Sequence, residues 1–261
     1  MKRYLYPIGI ILFFGLNTAC QRSANSEEQT VSTVDHSGDK EPNTPVVESF
    51  QTTQPIVIDG DLSEPAWQQA KVIALKNNVT GDPISDKSYF SYAKTCYDSN
   101  NLYIAFVNGD KNIFTGYTQK DQFLWQDEVV EVFIDGDPDI STYIELEVSP
   151  ANVVFDSYIT DTLNIDLEET PKFEIEGFQT AVKVNGTVND STDIDQDWTV
   201  EILIPLQVIT EKRTDGKRDL DQYRINFYRI NRDSQGPSFY AWSPTYQRFH
   251  APTKFGTILL K

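Results

Sequence analysis

The sequence predicts an all-β domain, a sandwich or a barrel, and three observations carry that prediction. From residue 51 onward the apolar residues fall into short runs rich in Val, Ile, Tyr, Phe and Trp, the composition of strands. Clusters of Asn, Asp, Gly and Pro separate the runs, and these residues turn the chain. No stretch sustains the apolar period of about 3.6 residues that a long amphipathic helix needs.

The elements follow from the N-terminus. Lys2 and Arg3 precede an apolar run from Ile8 to Leu16 and a tail, Asn17-Thr18-Ala19, that stops at Cys20. This is the layout of an export signal over residues 1–20. As a helix the run would reach about 14 Å, roughly half of a bilayer's hydrocarbon core, so a permanent span is not expected. Leu16-Asn17-Thr18-Ala19-Cys20 resembles a bacterial lipobox, in which the cysteine is lipidated and becomes the mature N-terminus. Asn17 stands where such motifs usually carry an aliphatic residue; an ordinary secretory signal cut nearby is the alternative. Gln21 follows where an Asp often retains lipoproteins at an inner membrane. The expectation is an exported lipoprotein held through Cys20 at the outer membrane or cell surface. Residues 21–50 are dominated by Ser, Glu, Thr, Asn and Pro and are expected to be a flexible tether. It would hold a single domain, 51–261, about 30 Å from the lipid.

Within that domain the first strand-like run is Ile56-Val57-Ile58. Leu102 to Val107, Val129 to Asp135, Tyr143 to Val148, Phe173 to Val184 and Trp198 to Leu206 follow. Tyr223 to Ile230, Phe239 to Trp242 and Gly256 to Leu260 complete the series. Alternation sorts the faces: Ile144, Leu146 and Val148 share one side of their run, with Tyr143, Glu145 and Glu147 on the other. The first side is the expected core and the second an exposed polar face. Trp198 shares a face with Val200, Ile202 and Ile204 and is read as core, and Trp67 and Trp242 as burial.

Charge narrows the function. A formal charge of -17, from 39 acidic and 22 basic residues, opposes binding to phosphate backbones and anionic lipid headgroups, so nucleic acid is excluded as a partner. Cys96 is the lone cysteine after Cys20; it has no disulfide partner and is either buried and inert or a reactive thiol.

Several segments carry a resemblance when taken together and in order. They are Ile58-Asp59-Gly60-Asp61, Glu64-Pro65-Ala66-Trp67, Tyr97 to Ile104, Trp125 to Asp135, Trp198 to Pro205, Arg224 to Phe227, Trp242-Ser243-Pro244 and His250 to Gly256. Over essentially all of 51–261 the chain resembles the family 9 carbohydrate-binding modules. The resemblance implies a two-sheet antiparallel β-sandwich, of jelly-roll or immunoglobulin-like kind, that grips a poly- or oligosaccharide between two aromatic side chains. It implies no catalysis, and often structural calcium nearby. Trp125 matches the first aromatic position, Phe249 aligns with the second, and Glu131 matches a carboxylate that bonds sugar hydroxyls. Glu147 and Ser149 stand where the family places Arg and Asn, so a basic donor is expected to be missing. Tyr246 is a further candidate to line the groove. The chemistry is coherent: a pyranose stacks its C–H faces on rings while fixed polar groups orient its hydroxyls. The plain alternatives are that Trp125 covers a sheet edge, Phe249 is core and Glu131 a solvated strand residue.

Spacing adds a constraint. Residues 125 and 131 on one straight strand would lie about 20 Å apart, too far to meet one sugar, so the chain must bend around Gln126-Asp127.

Three rival chemistries remain. Haem needs axial His, Met, Cys or Tyr, yet the histidines are only His36, in the tether, and His250, and the only methionine is Met1; haem is not expected. A glycosidase would use paired carboxylates, and Glu145 and Glu147 lie about 7 Å apart along their strand, but every Glu-x-Glu strand has that spacing. Calcium suits Asp135-Gly136-Asp137-Pro138-Asp139 and Asp193-Ile194-Asp195-Gln196-Asp197, each with carboxylates at alternate positions; Asp-rich turns without a metal are the alternative. The remaining function classes are sugar capture beside glycoside hydrolase partners and an assembly lipoprotein that holds another protein.

Overall fold

The structure is a computed structural model that describes residues 44–137, 139–213 and 221–261, all within the unit Lys40–Lys261. The export signal, Cys20 and most of the expected tether lie outside the described residues.

The described residues form thirteen strands: β1 (Val46–Gln51), β2 (Ile73–Ala74), β3 (Lys76–Asn77), β4 (Ser91–Tyr97), β5 (Asn101–Gly109), β6 (Val129–Asp135) and β7 (Tyr143–Val148), then β8 (Val154–Ile159), β9 (Gln179–Asn185), β10 (Asp197–Pro205), β11 (Gln222–Asp233), β12 (Gly236–Ala241) and β13 (Gly256–Leu260). Two short helices, α1 (Pro65–Gln69) and α2 (Leu206–Glu211), are the only α-helical pieces described. One sheet runs β8-β7-β6-β11-β13-β1, with β12 on β11 and β3 on β12; the other runs β1-β4-β5-β10-β9, with β2 on β4.

The two sheets arise because the long strands each carry a largely apolar face. Ile104, Phe106, Val130, Val132, Leu146, Trp198, Val200, Ile202, Ile225 and Phe227 meet in one buried core. The expected all-β sandwich is therefore what forms, and Trp198 is wholly buried in it. Strand direction corrects the antiparallel expectation at one element. β1 runs parallel to β13 through Val46–Ser49 and parallel to β4 through Phe50–Gln51, so it passes from one sheet to the other.

β1 also corrects the domain boundary. The expected tether, 21–50, ends inside this strand: Val47 packs on the core, Ser49 is buried, and Lys261 donates its amide to Ser49 O at 2.9 Å. The run Ile56-Val57-Ile58 is not a strand. Ile56 and Ile58 turn inward against the cluster around Trp67 while Val57 is exposed, and the Val57 amide bonds Glu64 Oε1 at 3.3 Å instead of a ladder neighbour. Alternation was present there without a partner strand.

The outer faces of both sheets are also covered. On the second sheet Trp67, Cys96, Tyr103 and Ala105 make a satellite cluster. On the first, Leu124, Val129, Phe133, Tyr143, Phe155, Tyr228, Phe249 and Phe255 make another. Every residue of β6 and β7 is buried, so the acidic face of β7 does not meet solvent. The loops that cover it create the site.

Candidate functional site

The site begins with strand parity. In β6, Val130, Val132 and Ile134 enter the sandwich core, which puts Glu131 on the opposite face beside Val129 and Phe133. The same parity in β7 puts Glu145 and Glu147 on that face. Register then gathers the acids, because Glu131 pairs with Glu147 and Phe133 with Glu145. Like charges opposite one another on adjacent strands destabilise a sheet, so the arrangement serves something other than stability.

The three carboxylates each bring one oxygen within 4.8 Å of the others. Ser157, opposite Glu145 on β8, donates its hydroxyl to Glu145 Oε2 at 3.0 Å. Both oxygens of Glu147 and Oε1 of Glu131 are buried without a hydrogen-bond partner. Burial pushes all three acids up: Glu145 to about 7, and Glu131 and Glu147 well above the usual carboxylate range, where charged neighbours add to the effect.

Loops wall this floor. Leu124–Gln126 is a 3-10 turn, closed by the Asp127 amide on Leu124 O at 2.9 Å. That is the bend the spacing required, and it carries half-buried Trp125 over the sheet, edge-on to Phe155 at 5.3 Å between ring centroids. Opposite in sequence, Tyr228 stacks on Phe249 at 4.1 Å and 17° and donates its hydroxyl to Phe249 O at 2.9 Å. Asn78 fixes the Phe249 loop: its side chain donates to Gln247 O at 2.9 Å and accepts from the Thr245 amide at 2.8 Å. The result is a pocket of about 520 Å³, within the range of small-molecule sites. Its lining includes Trp125, Phe155, Phe249, the three glutamates, Arg248 and His250.

Of the residues expected from the sequence, Trp125, Glu131, Glu147 and Phe249 converge on this pocket. Tyr246 does not. It adopts a left-handed conformation at φ +66, lies 54 % exposed, and rests its ring against Gly81. The expected polar face of β7 is corrected as well, since Glu145 is a buried pocket residue and not a solvated one. A basic group also lines the pocket, Arg248, supplied by the loop before Phe249. The sequence reading missed Glu145, Arg248 and His250 as site residues. A signal for Glu145 existed: the Asp-rich turn centres a hairpin on Asp139, which sets 131 opposite 147 and 133 opposite 145.

His250 completes the rim. Its Nδ1 lies 2.6 Å from the Tyr143 hydroxyl and its Nε2 3.9 Å from Glu145 Oε1. Burial, with Arg248 adding to it, pushes this imidazole down to about 4, so it is neutral at physiological pH.

The Asp loops are engaged otherwise. Arg224 pairs with Asp135 Oδ2, the Asp137 amide bonds Asp135 Oδ1 at 2.8 Å, and the Asp139 amide bonds Asp137 Oδ1 at 2.9 Å. Asp135, Asp137 and Asp139 thus form a train of side-chain-capped turns. Among the described residues the glutamate trio, not these aspartates, is the group that converges closely enough to hold a metal. In the second loop Asp195 receives the amides of Ile113 and Thr187, each at 2.6 Å.

Comparison with known proteins places this geometry. Residues 58–261 match the family model described as "Carbohydrate family 9 binding domain-like". An extracellular protein of Arthroderma benhamiae is 28% identical over 176 residues, which are 64% of this chain and 76% of that protein. A Bacteroides uniformis crystal structure assigned provisionally to carbohydrate binding superposes with a TM-score of 0.64 at 16% identity, covering 83% of this chain and 99% of the other. A family 9 carbohydrate-binding module from Caldicellulosiruptor kristjanssonii, solved with cellotriose, superposes with a TM-score of 0.55 at 17% identity, covering 83% and 93%.

Proposed function

This chain belongs to the carbohydrate family 9 binding domain-like family, and from that membership we propose that the pocket binds a poly- or oligosaccharide without chemical change to it. The family is one of non-catalytic binding modules, and the chain is a binding protein, not an enzyme.

One observation carries the ligand reading. Buried carboxylate oxygens of Glu131 and Glu147 lack protein donors at the floor of a pocket whose walls include Trp125 and Phe249. A sugar supplies the matching groups, hydroxyl donors at its edge and C–H faces for the rings. The cellotriose bound by the Caldicellulosiruptor module supports a glucan-like ligand. Tyr228 already covers one side of the Phe249 ring, so Trp125 is the larger free platform. The lipobox-like segment ending at Cys20 supports an exported, lipid-anchored protein that holds polysaccharide at the outer membrane or cell surface, beside glycoside hydrolases that degrade it.

Affinity electrophoresis tests the site. Gels cast with soluble β-glucans, xylans or mannans should retard the wild type, and Trp125→Ala should lose most of that retardation while keeping its fold. Absence of retardation by every polysaccharide, with the variant migrating like wild type, would overturn the reading. Release of reducing sugar from a retained polymer would instead indicate a hydrolase.

A further inference from the structure

The floor of the pocket gathers three buried carboxyl groups with more oxygen acceptors than the protein supplies donors for. Glu131, Glu145 and Glu147 are 2%, 5% and 0% exposed, and each offers an oxygen within 4.8 Å of the other two. Among the described residues none of them pairs with a lysine or arginine; of the basic side chains lining the pocket, His250 lies 3.9 Å from Glu145. Arg248 lines the pocket but is exposed and makes no ion pair with the trio. Independently of the clustering, wholly buried Glu147 faces the pocket with both oxygens outside full hydrogen-bond geometry, the Trp125 backbone and the Glu145 carboxyl being polar neighbours.

We propose that Glu131, Glu145 and Glu147 bind a divalent cation of the calcium class at the floor of this pocket, and that hydroxyls of a bound sugar complete its coordination. The donor set selects the metal class. Carboxylate oxygens without thiolate or a converging imidazole suit Ca²⁺, Mg²⁺ or Mn²⁺ and not the softer metals. Calcium takes 6–8 oxygens at about 2.3–2.6 Å, so oxygens of one shell lie up to about 5 Å apart, which matches the spacing of the trio. Three carboxylates leave coordination positions open toward the pocket. A sugar with neighbouring hydroxyls fills such positions as paired oxygen donors. The cation site stands on the geometry of the trio; the hydroxyl contact rests on the carbohydrate reading.

Two measurements on the full-length protein after chelation separate these claims. Terbium, a luminescent calcium analogue, is titrated with excitation of tryptophan, since Trp125 lines the same pocket. A saturable signal displaced by calcium is expected, weakened about tenfold or more in Glu131→Gln and Glu147→Gln, because loss of even an outer-shell contact costs about 10–100-fold. Asp139→Asn, in the Asp-rich turn, should bind like wild type. The glutamine variants keep the shape of the neutral acids, and a thermal melt like that of wild type separates a lost site from a lost fold. Absence of saturable binding, or equal affinity in the glutamine variants, overturns the site. Affinity gels run with calcium or with chelator give the second measurement. Retardation strengthened by calcium supports the bridging hydroxyls. Retardation indifferent to calcium overturns them and leaves sugar binding standing, whereas terbium binding with no retardation on any polysaccharide removes sugar binding and leaves the cation site.

Discussion

Phe249 and Trp125 line the same pocket on different footing. Phe249 is 8% exposed and stacked on Tyr228, so truncation removes packing as well as a ligand contact. Phe249→Ala should cost about 3–5 kcal/mol in urea unfolding together with polysaccharide affinity, whereas Trp125→Ala should cost affinity with a smaller loss of stability. Equal stability losses would mean that Trp125 is core. Cys96 resolves the alternative posed by its sequence, because its thiol is wholly buried and burial pushes it up to about 12; it is the inert form. At this scale the motif found Trp125, Glu131, Glu147 and Phe249, since aromatic and acidic positions sit in recognisable strings. Glu145 escaped because alternation separates it from the core face but cannot tell water from a covered pocket. The cover, Leu124, Phe249 and Phe255, comes from segments far away in sequence.

At the scale of elements, loops are held in place by single buried side chains. Asn78, 0% exposed, joins the turn after β3 to the segment carrying Phe249 through Thr245 and Gln247. Asn78→Ala would leave the Thr245 amide and the Gln247 carbonyl unpaired, at about 1–3 kcal/mol for each group not reached by water. The expected outcome is a lower urea midpoint and weaker retardation on polysaccharide gels, although Asn78 does not line the pocket. Unchanged retardation would show that the Phe249 loop holds its shape without this staple. The family-like strings around Trp67 have a comparable structural task. Glu201 accepts the Trp67 indole at 2.7 Å and the amides of Asp59 and Gly60 at 2.9 and 2.8 Å, and a Cβ on Gly60 would meet Val182 and Lys183 backbone at 2.8 Å. Strands with long alternating runs, β6, β7 and β13, were legible to the residue. β1 was not, because Val46-Val47-Glu48-Ser49 is a short, half-polar string whose strand character comes from pairing with β13 and β4. β4 and β8 escaped because their strings, Ser91 to Tyr97 and Val154 to Ile159, are mixed in polarity, although each pairs with its sequence neighbour in a hairpin.

Across the whole molecule, acidity is partly internal. Three of the buried acids outside the pocket pair with a cation: Asp110 with Arg229 at 2.7 Å, Asp156 with Lys120 at 2.7 Å, and Asp135 with Arg224. Glu128 differs. It is 0% exposed at the start of the pocket strand, and burial pushes its carboxyl up to about 10, with Asp110 adding to the shift and Arg229 opposing it. A carboxyl raised on folding contributes stability that is fully present below its unfolded value, about 4.5, and is lost as pH rises through its folded value. Between about pH 5 and pH 9 one such proton corresponds to a fall of up to about 1.4 kcal/mol per pH unit. Glu128→Gln keeps the shape and removes the titration. Its urea stability should match wild type near about pH 5 and exceed it progressively toward about pH 9. The pocket acids titrate in both proteins, so the difference between the two curves isolates Glu128. A variant that is less stable than wild type at high pH would show that the charged form pairs with Arg229 strongly enough to outweigh its burial. A constant difference across the range would show that Glu128 does not change protonation on folding.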